Sequence, residues 1–225
     1  MTSFILLAGG SGSRIRKEVP KQFLLLAGKP IIMHTMEKLE QIQEILEVVV
    51  VCLSEYKNVV EEYVKTYDLR KSYRIIDGGL TRQESVLRGL HAAQYDTVVL
   101  HESARPLVRQ SEFLEIIQCE YKNVTYGREI PFTVLQKENG LISGLLDRNS
   151  LVNVQLPQKF EKSILLRAHE KAQKCADAFT EDASMIYHYE NAKVNVIEGS
   201  EYNIKLTTWS DVLLAEELYK EAGLW

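Results

Sequence analysis

Short apolar runs alternate with amphipathic stretches along the first half of the chain. A mostly apolar run of about four to eight residues that ends in a turn is typical of a strand buried in a parallel sheet. The predicted strands cover residues 4–8, 47–53, 73–76 and 97–101. The predicted helices cover residues 31–43, 57–67, 83–93 and, with Ser111 as the N-cap, 111–121. This alternation indicates βαβ units and an α/β fold with a mostly parallel sheet.

The alternation of predicted strands and helices stops between residues 131 and 154, where polar and apolar positions alternate around Asn139-Gly140. Asn-Gly between two alternating runs is a strong hairpin signal, so this stretch predicts a two-stranded arm that protrudes from the sheet. Helices over residues 164–174, 183–189 and 210–222 and a strand over 194–197 complete the prediction. Because the sequence has no repeat and no linker-like segment, we expect residues 1–225 to form a single domain that includes the arm.

Composition narrows the classes of function. The sequence has 27 lysines and arginines against 31 aspartates and glutamates, a net charge of −4, whereas proteins that bind nucleic-acid phosphates usually carry a basic excess. The cysteines are scattered without a CxxC pair or metal-ligand spacing, which is typical of reduced thiols in a cytosolic protein. Apolar runs all fall short of the ~20 residues that span a bilayer. We therefore expect a cytoplasmic protein that binds neither nucleic acid nor membrane.

A glycine-rich loop, Gly9 to Arg14, follows the first strand directly. Glycines let consecutive backbone N–H groups approach an anion, and ligands of open α/β sheets collect at the carboxyl ends of the strands. The loop lacks the Gly-Lys-Ser/Thr of a Walker motif and the third glycine of the dinucleotide fingerprint. A turn that serves geometry alone is equally compatible with the glycines. The closely following Arg14 and Lys21 favour an anion site, because they can neutralise a bound phosphate.

Three early motifs together resemble the opening of the cytidylyltransferases that activate phosphorylated polyols. They are Leu7-Ala8-Gly9-Gly10-Ser11-Gly12-Ser13-Arg14, Pro20-Lys21-Gln22-Phe23 and Gly28-Lys29-Pro30. The best-known members of that family act on 2-C-methyl-D-erythritol 4-phosphate or on ribitol 5-phosphate. Later segments match the same family in the same order, at residues 78–86, 101–106, 146–148, 157–158, 180–184 and 198–207. The resemblance therefore extends along nearly the whole chain, with residues 157–158 expected in the loop after the arm.

The resemblance implies a Rossmann-like, three-layer nucleotidyltransferase fold, with CTP as co-substrate and Mg²⁺ as cofactor. It implies catalytic roles for Arg14, Lys21 and Lys205. The implied nucleotide-binding residues are Ala8, Gly9, Gly10, Gly12, Gly79, Arg82, Ser85 and Arg105. The implied contacts to the polyol phosphate come from Thr133, Arg148 and Lys205, and the implied metal ligand is Glu102. Because the family's arm crosses a two-fold axis, the resemblance also implies a homodimer in which Arg148 serves the partner's site.

Several of these side chains also have a purely structural interpretation. Without the resemblance, Ser85 is an ordinary helix cap, Arg82 pairs with a neighbouring carboxylate, and Arg148 is an exposed charge on the arm. His101 is more typical of a structural hydrogen-bonding residue than of a metal ligand, since no second histidine stands at metal-like spacing. We expect Arg105 to fix its loop through a carboxylate rather than to contact substrate.

The sequence departs from the family pattern at two positions. Glu102 stands where the family has an aspartate, and Leu156 stands where a threonine is common. The basic residues implied for phosphate contacts are all retained, and their residue types suit phosphate recognition. The resemblance therefore implies that a polyol phosphate attacks the α-phosphorus of CTP and gives a CDP-alcohol and pyrophosphate.

Three features of the sequence bear on which polyol phosphate is the acceptor. The short spacing from Arg14 to Lys21 and residues 82–85 and 180–184 favour 2-C-methyl-D-erythritol 4-phosphate, with ribitol 5-phosphate as the alternative. A non-catalytic nucleotide-binding homologue is a further alternative, suggested by Glu102. A sugar-1-phosphate nucleotidylyltransferase shares a glycine-rich opening, but the later matching segments speak against it.

Overall fold

A seven-stranded mixed sheet forms the centre of the computed structural model, which describes residues 1–10 and 19–221. The strands are β1 Thr2–Ala8, β2 Leu25–Leu26, β3 Lys29–Pro30, β4 Ile45–Cys52, β5 Ser72–Asp77, β6 Thr97–Glu102, β7 Val124–Glu129, β8 Leu135–Glu138, β9 Leu141–Leu145, β10 Val152–Glu161 and β11 Asn195–Glu198. The helices are α1 Ile31–Glu40, α2 Lys57–Thr66, α3 Arg82–Ala92, α4 Gln110–Gln118, α5 Lys162–Cys175, α6 Asp182–Glu190 and α7 Trp209–Glu221.

The order of strands in the main sheet is β11-β7-β10-β6-β1-β4-β5. Strand β1 lies between β6 and β4 and is parallel to both, and β5 continues the parallel half. Strand β10 is antiparallel to its neighbours β6 and β7, and β11 pairs with β7 in parallel. The predicted mostly parallel α/β sheet is therefore confirmed.

Helices cover both faces of the sheet, which gives the predicted three layers. On one face, Phe4 and Leu6 of β1 pack in a buried cluster with Ile32 of α1. On the other face, Ile5 of β1 packs in a second cluster with Leu90 of α3. Because β1 is buried on both faces, its sequence is a continuous apolar run rather than an alternating one.

Strands β7 and β10 were not predicted, because their apolar runs are interrupted by polar residues. Gln158 and Lys159 of β10 are nevertheless buried. The Gln158 amide donates to Thr125 Oγ1 at 2.8 Å, and the Lys159 ammonium donates to the Cys119 carbonyl at 2.5 Å. The prediction of a loop at residues 157–158 is wrong: Pro157 lies within β10, at a register irregularity where a missing N–H is tolerated.

The helices lie within three residues of their predicted bounds, and the differences in α1 and α4 concern how these helices end and begin. Helix α1 begins directly after Pro30 but ends at Glu40, short of the predicted end. Ser111 is not the N-cap of α4, because that helix begins at Gln110. The carboxylate of Glu112 accepts a hydrogen bond from the Arg109 N–H at 2.8 Å instead, and it satisfies a backbone donor that the start of a helix leaves free.

The predicted hairpin is present as strands β8 and β9. Its turn residues Asn139 and Gly140 have φ angles of 50° and 86°, the left-handed conformations that a tight two-residue hairpin turn requires. Three apolar side chains of this arm, Leu141, Ile142 and Leu145, are 74%, 71% and 83% exposed. The arm therefore extends an apolar surface away from the main sheet.

Two expectations from composition can be compared with the structure. Cys52, Cys119 and Cys175 are all free thiols, as expected. Among the residues that the structure describes, no helix is long and apolar enough to cross a membrane.

We expect that Gly89→Ala destabilises the protein, although alanine is the better helix former by about 1 kcal/mol. A Cβ at this position of α3 would lie 2.6 Å from Ile5 Cγ2 and 3.3 Å from Val51 Cγ2, inside the core between helix and sheet. Overpacking of this kind costs about 1–3 kcal/mol. Urea denaturation measures the free energy of unfolding, and a variant more stable than the wild type would contradict the close packing of α3.

Candidate active site

A cleft of about 480 Å³ lies at the carboxyl ends of the parallel strands β1, β4, β5 and β6. It brings together eight of the residues proposed from the sequence, namely Gly9, Gly10, Lys21, Gly79, Arg82, Ser85, Glu102 and Lys205. A larger groove of about 800 Å³ lies near the opposite ends of β1 and β6, lined by Thr2 and Thr97, and it contains none of them. The cleft is therefore the candidate site, at the edge where α/β sheets bind ligands.

The loop between β5 and α3 forms one wall of the cleft and is fixed by side chains of the helix that follows. Thr81 caps α3 by accepting from the Glu84 N–H at 3.1 Å. The Ser85 hydroxyl accepts from the Gly79 N–H at 3.0 Å and donates to the Thr81 carbonyl at 2.9 Å. A Cβ on Gly79 would lie 2.2 Å from Glu84 Cβ, so this position requires glycine. Ser85 thus holds the loop from inside the helix and is not its N-cap.

Lys21 lies on the opposite wall, in a short 3-10 turn over Lys21–Phe23. Its ammonium donates to the Leu206 carbonyl at 2.9 Å, and its Cε lies 3.8 Å from the position that a Cβ on Gly10 would take. The neighbouring Gln22 is buried and donates its amide to the Ala8 carbonyl at 2.5 Å. This bond ties the turn to the end of β1 and keeps Lys21 beside the glycine loop.

A line of ion pairs crosses the floor of the cleft. Arg82 donates from Nε to Glu102 Oε1 at 3.0 Å and from Nη1 to Asp182 Oδ2 at 2.6 Å. Lys205 Nζ lies 2.6 Å from Glu102 Oε2. The alternative in which Arg82 pairs with a carboxylate therefore holds in this structure, and the guanidinium spans two carboxylates from different elements.

The two carboxylates stay ionised because of these cations. Burial on its own raises the pKa of Glu102, but Lys205 and Arg82 together outweigh it and lower the pKa to about 2. Burial likewise raises the pKa of Asp182, and Arg82 with a hydrogen bond from His169 lowers it to about 2. The cleft thus combines anchored negative charge with cations that a bound phosphate could contact.

Arg105 and His101 lie behind the cleft, in the wall. Arg105 donates from Nη1 to the Asn203 carbonyl at 2.8 Å, so it fixes its loop through a carbonyl rather than through the expected carboxylate. The His101 ring is fully buried, packs edge-on against Phe113 and lies 3.2 Å from the Arg105 carbonyl. Burial lowers the pKa of His101 to about 3. Its burial and its contacts agree with the predicted structural role.

Among the described residues, two of the proposed ones lie near the arm rather than at the cleft. Thr133 is exposed next to the arm, and Arg148 donates to the Pro131 carbonyl at 3.1 Å beside a separate groove of about 810 Å³. The chain does not bring these two into its own cleft. Gly12 and Arg14 lie outside the described residues.

Two residues of the site were not singled out from the sequence. Asp182 lies in a segment that was matched to the family, but nothing in its local pattern indicates that it binds Arg82, 100 residues earlier in the chain. His169 lies on an amphipathic helix, where a histidine that contacts the site is indistinguishable from one in the core.

Comparisons with known families agree with this geometry. Residues 2–221 match the family model of IspD, 2-C-methyl-D-erythritol 4-phosphate cytidylyltransferase. The chain belongs to this family. A cytidylyltransferase of that name from Geobacillus kaustophilus is 36% identical over 220 residues, which is 95% of each chain. The one from Halalkalibacterium halodurans is 35% identical over 222 residues, 97% of each chain.

A solved structure of the same family extends the likeness to the fold. The 4-diphosphocytidyl-2C-methyl-D-erythritol synthase of Anaerococcus prevotii has a TM-score of 0.86 and 25% identity, and the match covers 97% of this chain and 96% of that one. The resemblance to the methylerythritol branch and the nucleotidyltransferase fold are thus confirmed, and the ribitol alternative is not favoured.

The pKa of Glu102 gives a testable stability effect. Because its folded pKa of about 2 lies below the ordinary glutamate value of 4.5, Glu102 stabilises the protein fully above pH 4.5 and loses that contribution as the pH falls toward 2. We expect the gap in unfolding free energy between wild type and Glu102→Gln to shrink by about 2 kcal/mol from pH 7 to pH 3. Urea titrations at both pH values measure it, and a gap independent of pH would contradict the ion pairs.

Proposed function

We propose that this chain transfers CMP from CTP to 2-C-methyl-D-erythritol 4-phosphate and releases pyrophosphate. The observation that carries the proposal is the meeting of Lys21 and Lys205 at one glycine-lined cleft, where Lys21 bonds to the carbonyl of the residue next to Lys205. Family membership and the names of the relatives support the nucleotide and the acceptor. As a nucleotidyltransferase, the enzyme acts on two phosphorylated substrates and needs cations aimed at both.

The reaction is an in-line displacement at phosphorus. A phosphate oxygen of the polyol phosphate forms a new bond to the α-phosphorus of CTP, and the bond from that phosphorus to the β-phosphate bridging oxygen breaks. The electron pair leaves on pyrophosphate, and the product is a CDP-alcohol. Because the attacking oxygen is already charged, no general base is required, and catalysis rests on positioning and electrostatic stabilisation.

We assign the stabilisation of the α-phosphoryl group to Lys21 and, from the family resemblance, to Arg14. Gly9, Gly10 and Gly12 supply backbone N–H groups for the triphosphate. The remaining nucleotide-binding residues of the proposal are Ala8, Gly79, Arg82, Ser85 and Arg105, of which Ala8 and Arg105 act from behind the cleft lining.

Lys205 is suited to a different task, because its side chain is 38% exposed while its partner Glu102 is 10% exposed. A half-exposed ammonium can turn from a carboxylate toward an incoming phosphate at small cost. Arg82, held by two carboxylates, is instead a fixed charge. We propose that Lys205 orients the attacking phosphate and keeps its charge compensated by Glu102 until substrate arrives.

A divalent cation at Glu102 stays a prediction. Both carboxylate oxygens already contact cations, Arg82 on one and Lys205 on the other, so a metal there would displace one of them. Among the described residues, no group of three histidine, cysteine or acidic side chains is placed to hold a metal ion. A Mg²⁺ ion supplied with the triphosphate would neutralise phosphate charge.

We further propose that residues 1–225 form one domain and that two copies pair through the arm. The exposed Leu141, Ile142 and Leu145 provide an apolar surface for this contact. Thr133 and Arg148 lie outside the chain's own cleft, so we assign them to the phosphate of the polyol in the partner's site. Arg148 suits this role because a guanidinium binds phosphate through two parallel hydrogen bonds.

We expect Lys21→Ala to lower kcat by at least about 100-fold, because electrostatic groups at the reacting phosphorus contribute on that scale. Pyrophosphate release with CTP, Mg²⁺ and the polyol phosphate measures the effect. Lys122→Ala is the matched control, since Lys122 is an exposed lysine paired with Glu161 away from the cleft.

Two outcomes would overturn these assignments. Full turnover by Lys21→Ala would remove the mechanism. Binding of CTP without pyrophosphate release from 2-C-methyl-D-erythritol 4-phosphate would overturn the proposed function, and release with ribitol 5-phosphate alone would reassign the acceptor.

The arm gives an expectation for assembly. Leu141→Asp combined with Leu145→Asp should convert a dimer into a monomer, because it places charge on an apolar contact, and should lower turnover by removing Arg148 from the partner's site. Light scattering coupled to size exclusion reports the mass, with Lys137→Ala on the same hairpin as control. A wild-type monomer with full activity would contradict the shared site.

A further inference from the structure

His169 of α5 lies at the inner end of the ion pairs and is not among the residues that line the cleft. Its side chain is fully buried, and its Nε2 lies 2.9 Å from Oδ1 of Asp182. An ionised carboxylate can only accept hydrogen bonds, so Nε2 is the donor. His169 therefore holds the one oxygen of Asp182 that Arg82 does not contact.

The contacts continue from His169 to Lys205 without a gap. The Asp182 carboxylate contacts both His169 and Arg82, and the Glu102 carboxylate contacts both Arg82 and Lys205. Each carboxylate uses a different oxygen for each of its two neighbours. The orientation of each carboxylate is thus fixed from both sides, and the guanidinium between them is fixed in turn.

The outer members of this line are partly exposed, and the two innermost members are buried. The exposed fraction of the side chain is 38% for Lys205, 10% for Glu102 and 26% for Arg82, but 1% for Asp182 and 0% for His169. At the outer end, water or a ligand can replace a lost partner. At the inner end the loss of a donor is more costly, because the Asp182 carboxylate is buried and bonds to protein groups rather than to solvent.

We propose that His169 is a positioning residue for the transfer reaction. It orients Asp182, and Asp182 in turn orients Arg82. Arg82 and Glu102 then set the position of the Lys205 ammonium before substrate binds. This inference rests on the proposed function for its effect on turnover. Its structural core, that the His169 donor sets the orientation of the Arg82 guanidinium, is independent of which reaction the cleft performs.

The test compares two substitutions that differ in one hydrogen bond. His169→Gln places an amide donor where Nε2 was, whereas His169→Leu fills the space without a donor. We expect His169→Leu to lower kcat by about 10–100-fold, since small misplacements of charged groups carry losses of this size. KM for CTP should rise by less, and His169→Gln should retain kcat within about threefold.

The matched control is His34→Leu, which removes a different buried histidine. His34 bonds through Nε2 to the Leu26 carbonyl at 2.9 Å and packs against Tyr219. The substitution His34→Leu should lower the stability of the protein without lowering kcat. Thermal unfolding of every variant separates loss of fold from loss of turnover, and if His169→Leu does not fold, His169→Asn, whose amide is too short to reach Asp182, takes its place.

A second readout does not need activity. The Arg82 Nε–H signal in proton–nitrogen spectra, identified by its loss in Arg82→Lys, should be sharp and protected from exchange in the wild type and in His169→Gln. It should broaden or shift in His169→Leu. If the wild type fails to release pyrophosphate, the proposed function fails, and this signal still decides the role of His169.

Three results would overturn the inference. They are an unchanged kcat in His169→Leu, an equal loss of kcat in His169→Gln and His169→Leu, and an Arg82 signal that is the same in all variants. Any of these would show that the hydrogen bond from His169 does not set the position of Arg82.

Discussion

The structure of the cleft depends on the placement of Glu102 between two cations. A buried carboxylate is costly unless its charge is compensated, and two neighbouring cations repel unless an anion separates them. Glu102 at the end of β6 lies between Arg82 of α3 and Lys205 in the segment before α7. Its charge is compensated by the two cations, and it reduces the repulsion between them. It thereby connects β6, α3 and the segment before α7. The glutamate is longer than the family's aspartate, and here it contacts Arg82 and Lys205 with separate oxygens.

Much of the fold could be predicted because burial on both faces makes parallel strands uniformly apolar. The run Val48–Val51 is an example, since all of its side chains are buried in strand β4, which lies between β1 and β5. Strand β10 could not be predicted in this way, because Gln158 and Lys159 are buried through hydrogen bonds to partners far away in sequence. A polar residue whose bonds are made in the tertiary structure has the same local pattern as one in a loop.

The candidate site could be predicted only in part, for a related reason. Glycines that follow a strand and a nearby lysine are local signals, and Gly9, Gly10 and Lys21 do lie at one cleft. The pairing of Arg82 with Asp182 is not local, and its physical meaning emerges only when α3 and α6 are packed together. The family resemblance placed Arg82 in the site without indicating that two carboxylates hold it.

The loop between β5 and α3 also leaves one leucine in an unusual setting. Leu80 is 96% exposed at the mouth of the cleft, and its N–H donates to the Glu84 carboxylate at 2.7 Å, so the backbone cannot easily fold the side chain away. Water around an exposed apolar side chain contributes to the heat capacity of the free protein. A ligand that covers Leu80 releases this water, and its association therefore carries a negative heat-capacity change that charge pairing alone would not produce.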